Sequence, residues 1–103
     1  MTLFKEKVYS VVRKIPKGKV LTYQTVAHAI GCGRAGRAVG NALNKNHSPA
    51  VPCHRVIRGD GLVGGFNGGE DRKIKLLSRE GIIISNGRID LLKYLHHGKR
   101  KHS

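Results

Sequence analysis

The stretch LTYQTVAHAIGCGRAGRAVGNALN, residues 21–44, decides the fold. Thr22 precedes a run in which Val26, Ala27 and Ile30 recur at helical spacing. A Thr there supplies the side-chain oxygen that the first unpaired N–H groups of a helix require. A helix is expected over residues 23–30. Gly31, Cys32 and Gly33 break it, and a second helix is expected over residues 35–44, with Ala38, Val39, Ala42 and Leu43 turned inward. Two short helices joined by a glycine-containing turn describe a helix-turn-helix. The second helix is small and carries Arg34 and Arg37 at its start, the end that a recognition helix presents to DNA. An ordinary helical hairpin shares this spacing, so both readings stand at this level.

Working outward, Leu3, Phe4, Val8, Val11, Val12 and Ile15 predict a helix over residues 3–14, ended by Pro16, Lys17 and Gly18. Residues 19–21 read as a short extended link. Beyond the helical pair, Pro49 and Pro52 stiffen a loop that delivers Cys53-His54-Arg55-Val56-Ile57. Gly59-Asp60-Gly61 is a turn, and a glycine-rich loop follows at residues 64–69. Glu70 and Asp71 then open a helix, placing acids at the positive end of its dipole. Ile74, Leu76 and Leu77 are expected inward, and Gly81 closes the helix. Residues 82–84 and 88–91, around Ser85-Asn86-Gly87, read as a hairpin. The expected fold is mainly α with a short β hairpin: a single winged helix-turn-helix-like DNA-binding domain over residues 1–95. A basic tail, residues 96–103, is expected to be disordered.

The bulk properties agree with one such domain. The chain has 103 residues and a net charge of +14, with no Asp or Glu from Lys7 through Gly59. A field of that kind attracts polyanions, nucleic acid first; solubility or anionic lipid are the alternatives. Apolar residues make up 39%, without a run that could span a bilayer. The first residues, MTLFKEKVYS, carry charge where a signal peptide needs an apolar stretch. The expected protein is soluble and monomeric, in the cytoplasm and nucleoid (or the nucleus of a eukaryote), without membrane attachment. Cys32 and Cys53 are too few for a disulfide scaffold. Zinc on His28, Cys32, Cys53 and His54 is disfavoured by the glycines around Cys32 and the lack of a CxxC pair. No metal or cofactor is expected.

A free thiol has a pKa near ~8.5 and needs help to act as a nucleophile. His54 and Arg55 adjoin Cys53, and positive charge and a nearby base both favour thiolate. Pro52 restricts the backbone before the sulfur. On these residues alone a buried, inert cysteine remains the competing reading.

The string Pro52-Cys53-His54-Arg55-Val56 resembles the active-site motif of the O6-alkylguanine-DNA alkyltransferases. Other blocks match in order. Gly18-Lys19-Val20-Leu21-Thr22-Tyr23 resembles the segment leading into that family's helix-turn-helix, and Arg37-Ala38-Val39-Gly40-Asn41-Ala42 its recognition helix. Asn46, with Ser48-Pro49, resembles the start of its active-site loop. Leu62-Val63-Gly64-Gly65-Phe66 with Gly68-Gly69 resembles its substrate loop, and Lys75-Leu76-Leu77 through Glu80-Gly81 the following helix and its glutamate. The resemblance covers about Phe4 to Leu91.

The resemblance implies irreversible transfer of a methyl or larger alkyl group from O6-alkylguanine in double-stranded DNA to Cys53, one turnover per molecule. Cys53, His54, Glu80 and Tyr23 are then the catalytic set: nucleophile, proton acceptor, orienting acid and proton donor to the departing guanine. Arg37, Thr22, Tyr23, Ala38, Asn41 and Arg34 are the implied DNA-binding residues. Arg37 would fill the gap left by the flipped base, with a phosphate contact as the alternative. Asn46, Val56, Phe66, Asn67 and Pro52 would form the substrate pocket, with backbone groups at Cys53, Val56 and Asn67 reading the base. Asn46 would tie the cysteine loop to the recognition helix, or simply cap that helix.

Three departures stand out. The amino-terminal domain of larger members has no counterpart in this sequence. Phe66 replaces a common Tyr, which removes a hydroxyl near the pocket, and Asn67 a common small Ser, which implies a narrower pocket or an altered contact to O6. The rival class is the alkyltransferase-like proteins, small domains that bind the same lesions and flag them without removing them; these replace the reactive cysteine, which is kept here as Cys53.

Overall fold

The computed structural model describes residues 3–46, 48–66 and 68–96. Its elements run α1 (Phe4–Arg13), β1 (Leu21–Thr22), α2 (Tyr23–Ala29), α3 (Gly36–Asn44), a 3-10 turn (Cys53–Arg55), β2 (Val56–Ile57), α4 (Glu70–Arg79), β3 (Ile84–Ser85), β4 (Arg88–Ile89) and α5 (Leu91–Tyr94). The mainly helical domain with short strands matches the expected class. Two differences concern strands and one a helix. The extended link before Thr22 is a strand, paired in parallel with β2 so that Leu21 meets Val56 and Thr22 meets Ile57. The hairpin strands are shorter than expected. The chain after β4 turns into α5, capped by the Asp90 carboxylate, which accepts the Leu92 N–H at 3.0 Å.

The parallel pair is the seam of the molecule. Neighbouring residues of a strand point to opposite faces. Leu21 and Val56 therefore enter one core with Val8, Val12, Ile15, Val26, Ala27, Val39 and Leu43. Val20 and Ile57 enter the other with Val63, Leu77, Ile82, Ile89 and Tyr94. Each fully buried Val or Ile stabilises by roughly 1.5–3 kcal/mol relative to exposure. Two dipeptides thus join the helix-turn-helix half to the α4–hairpin half, and the 3-10 turn bearing Cys53 ends directly on this seam.

The helical pair forms for the reasons its sequence suggests. Thr22 Oγ1 accepts the Thr25 N–H at 3.1 Å while Thr25 Oγ1 accepts the Thr22 N–H at 2.7 Å, a reciprocal cap that fixes the start of α2. Gly31, at φ +78°, ends the turn after α2. α1 packs across both helices, and the Tyr9 hydroxyl donates to Ala42 O at 2.8 Å.

On the other side, Asn86 and Gly87 both take positive φ and close the β3–β4 hairpin. Residues 61–63 dock on its edge: Ile89 N–H donates to Gly61 O at 2.8 Å and Val63 N–H to Gly87 O at 2.9 Å. Gly61 sits at φ +90°, and a Cβ there would lie 2.9 Å from Ile89 O, so only glycine fits. His96, assigned to the tail by its sequence, donates its N–H to Val20 O at 2.8 Å and is part of the fold. Residues 97–103 lie outside the described residues. Among those described, no helix is long and apolar enough to cross a membrane.

Candidate active site and nucleic-acid interface

Cys53 opens the 3-10 turn, held by its N–H donating to Val51 O at 2.8 Å and by Arg55 N–H donating to Pro52 O at 3.0 Å. Its sulfur receives the Asn46 side-chain N–H at 3.1 Å and lies 3.8 Å from Leu43 O, a carbonyl near the end of α3. The same Asn46 Nδ2 reaches Ser48 O at 3.1 Å, and Asn46 Oδ1 accepts the Ser48 N–H at 3.2 Å. Asn46 therefore does more than end a helix. It follows α3 and bonds both the loop, at Ser48, and the sulfur of Cys53.

Cys53 faces a cleft of about 580 Å³ that is also lined by Tyr23, Asn46, Pro52, His54 and Phe66. An adjoining hollow, lined by Tyr23, Gly40, Asn44, Gly65 and Phe66, runs from the cleft toward α3. Asn67 lies outside the described residues.

His54 and Glu80, 26 residues apart, meet at 2.8 Å through Nε2 and Oε2. An ionised carboxylate accepts the Nε2 proton, which leaves Nδ1 of a neutral His54 as the basic nitrogen. Arg55 meets the same carboxylate in a fork, Nε to Oε1 at 2.9 Å and Nη2 to Oε2 at 2.7 Å, and anchors to Ile15 O through Nη1 at 2.8 Å. Burial alone would raise the Glu80 carboxyl; the bonds from Arg55 and His54 outweigh it and hold it below the ordinary range. Arg55 is thus a brace for Glu80. It was expected to act on the thiol, and its guanidinium is turned away from that task.

The thiol itself is pushed up by burial, which outweighs the lowering by the Asn46 hydrogen bond, by the backbone and by the charge of Lys73. His54 and Arg55, expected from their adjacency to favour the thiolate, are not among the groups that lower the thiol. The favourable groups are Asn46 and Lys73, and deprotonation needs an acceptor at the moment of reaction.

Lys73 is the residue the sequence reading missed. It is completely buried, donates to Gly65 O at 3.0 Å and to the Tyr23 hydroxyl at 3.4 Å, and sits 5.6 Å from the Tyr23 ring centre. Burial brings its pKa down to about 8 against the opposing pull of Cys53 and Glu70. The signal was present: Lys73 stands four residues before Leu77 and beside Ile74, on the inward stripe of α4. Burial and the Cys53 charge raise the Tyr23 phenol, so at neutral pH it is a proton donor.

The outer surface of α3 presents Arg37, Ala38 and Asn41, with Arg34 exposed in the turn before it; Val39, Ala42 and Leu43 are buried beneath. Ala38 faces out, against the inward position its apolar character suggested. Two residues of the expected interface and pocket are placed otherwise. Thr22 is buried as the α2 cap, with its hydroxyl engaged by Thr25 rather than presented at the surface. Val56 is fully buried in the core and its N–H donates to Cys53 O, so its side chain does not line the cleft.

Fold and site together define a helix-turn-helix domain whose second helix stands beside a cysteine cleft backed by a histidine–glutamate pair. The chain belongs to the family described as "6-O-methylguanine DNA methyltransferase, DNA binding domain", which it matches over residues 3–82. It is 45% identical over 84 residues to the methylated-DNA--protein-cysteine methyltransferase of Methanothermobacter thermautotrophicus, covering 81% of this chain and 47% of that protein. It is 46% identical over 88 residues to a bifunctional methyltransferase/endonuclease of Picrophilus torridus, covering 84% of this chain and 30% of that protein. The chain thus spans less than half the length of these relatives. Among solved structures, S. pombe Atl1 in complex with damaged DNA containing O6-carboxymethylguanine superposes with a TM-score of 0.84 at 34% identity, covering 93% of this chain and 98% of that one. Mycobacterium tuberculosis OGT in complex with DNA gives 0.74 at 40% identity, covering 79% and 50%.

Proposed function

We propose that this chain repairs O6-alkylguanine in double-stranded DNA by moving the alkyl group irreversibly onto Cys53. The observation that carries the reading is the sulfur of Cys53 held by Asn46 in a cleft that also contains Tyr23, next to the His54–Glu80 pair. A purely structural cysteine does not require a neighbouring histidine whose tautomer is fixed by a braced carboxylate.

The thiol proton passes to Nδ1 of His54 through one water molecule, and Glu80 stabilises the imidazolium that forms. The thiolate attacks the alkyl carbon in line with the carbon–O6 bond. The S–C bond forms, the C–O6 bond breaks, and its electron pair goes to the guanine. Tyr23 donates a proton to the departing base, and Lys73 stabilises the phenolate left behind. The thioether does not hydrolyse, so each molecule acts once. Reaching the sulfur requires the nucleotide to leave the stack, along the path lined by Gly40 and Tyr23. Arg37 fills the space it vacates, and Arg34, Ala38 and Asn41 rest on the duplex.

A burst experiment tests this. With excess O6-methylguanine duplex, the repaired amount should equal the protein and then stop. A second reading, lesion binding without transfer, is supported by the likeness to Atl1 along almost the whole of that chain; tight lesion binding with no burst would favour it.

A further inference from the structure

Arg72 is the cationic side chain of the cleft to which the transfer chemistry gives no role. It stands in the first turn of α4 and lines the same cleft as Cys53, His54 and Phe66. Its stem lies across Gly68, where a Cβ would come within 2.5 Å of Arg72 Cδ, so the glycine admits the arginine to this position. Among the described residues, no Asp or Glu lines the cleft. Glu80 is engaged by His54 and Arg55, and among the described residues Arg72 forms no ion pair. Lys73 is buried behind the cleft, bonded to Tyr23 and Gly65, and does not line it.

We propose that Arg72 makes this cleft selective for O6 adducts that carry a carboxylate, carboxymethyl being the smallest, over neutral adducts of the same size. The inference rests on the cleft being the alkyl-acceptor site. A carboxylate on the attacked carbon repels the incoming thiolate at close range. A guanidinium beside it offers a forked pair of donors and offsets the repulsion. The displacement is otherwise unchanged: the S–CH2 bond forms, the CH2–O6 bond breaks, the electron pair goes to guanine, and the thiol's proton is balanced by the one guanine receives.

The test uses two isosteric lesions in one duplex sequence, O6-carboxymethylguanine and the neutral O6-carbamoylmethylguanine. Affinity is measured with Cys53→Ala and the single-turnover rate with the parent protein. The acid should be preferred by roughly threefold or more, the size of a partly exposed charge pair. The preference should shrink with added salt, vanish in Arg72→Gln and survive in part in Arg72→Lys. A ratio near one in the parent, or the same ratio in Arg72→Gln, overturns the proposal. So does an equal loss of affinity for all duplexes, undamaged DNA included, which marks a phosphate contact. An O6-methylguanine duplex run in parallel keeps the two readings apart. If no lesion alkylates the protein, transfer fails, while the ratio of affinities still judges Arg72.

Discussion

Lys73 donates to the hydroxyl of Tyr23 across 3.4 Å from a position that solvent does not reach. The contact joins α4 to the first residue of α2 and places a positive charge next to the phenol that faces the cleft. Burying that charge is costly.

The cost has a definite pH dependence. Below about pH 8 Lys73 is protonated in both folded and unfolded chains and the penalty, about 3 kcal/mol for a pKa brought from 10.5 to about 8, is fully present. Between those values only the unfolded lysine keeps its proton, so stability rises with pH. Lys73→Met should therefore be more stable than the parent by about 1–3 kcal/mol at pH 7, allowing for the lost bond to Gly65. The advantage should fade toward pH 10.5, and alkyl transfer should slow. Urea unfolding at pH 7 and pH 10 decides it; a variant destabilised equally at both contradicts the buried-charge reading.

Glu80 works in the opposite direction. Its folded pKa lies below the unfolded value, so its contribution is complete above the ordinary carboxylate range and is lost as pH falls through the folded value. Glu80→Gln should cost about 1–3 kcal/mol at pH 7, because the buried side of Arg55 loses its charged partner. That difference should close in acid, where the parent carboxyl is also neutral. Transfer should fall as well, since His54 loses the group that fixes its tautomer. A difference that persists at pH 2 would place the effect elsewhere.

Asn46→Ala removes the hydrogen bond that lowers the Cys53 thiol. In a Cys32→Ser background, the pH at which iodoacetamide reaches half its limiting rate should move upward. An unmoved profile would show that Asn46 only shapes the loop.

Arg37 separates two ways of holding DNA. If it occupies the space of the flipped base, Arg37→Ala should cut repair in duplex far more than in single strand and leave the salt slope of binding nearly intact. A phosphate contact would instead lower that slope by about one. Filter binding across a salt series, on lesion and plain duplexes, distinguishes them.

Much of this was legible in residues 21–44. Thr22, the glycine turn and the apolar positions Val39, Ala42 and Leu43 place α2 and α3 within a residue of the observed ends. The His54–Glu80 pair came from resemblance alone, since 26 residues of chain hide a 2.8 Å contact. What escaped has physical reasons. A two-residue parallel strand such as Leu21–Thr22 has no periodicity to detect. Arg55 looked like a field for the thiol because its neighbour in sequence is Cys53, whereas its partner in space is Glu80. Lys73 stands in a charged run with Arg72 and Lys75, where only its register with Leu77 marks it as inward. Thr22 was legible as a cap from its place before the helical run, and its side chain is occupied in that role.

The most direct measurement is the intact mass of the protein after incubation with a duplex bearing O6-methylguanine, followed by mapping of the adduct. Alkyl transfer predicts one added methyl group, located on Cys53, formed in step with loss of the lesion and absent in Cys53→Ala. Unchanged mass in a protein that still binds the lesion more tightly than plain duplex would contradict it.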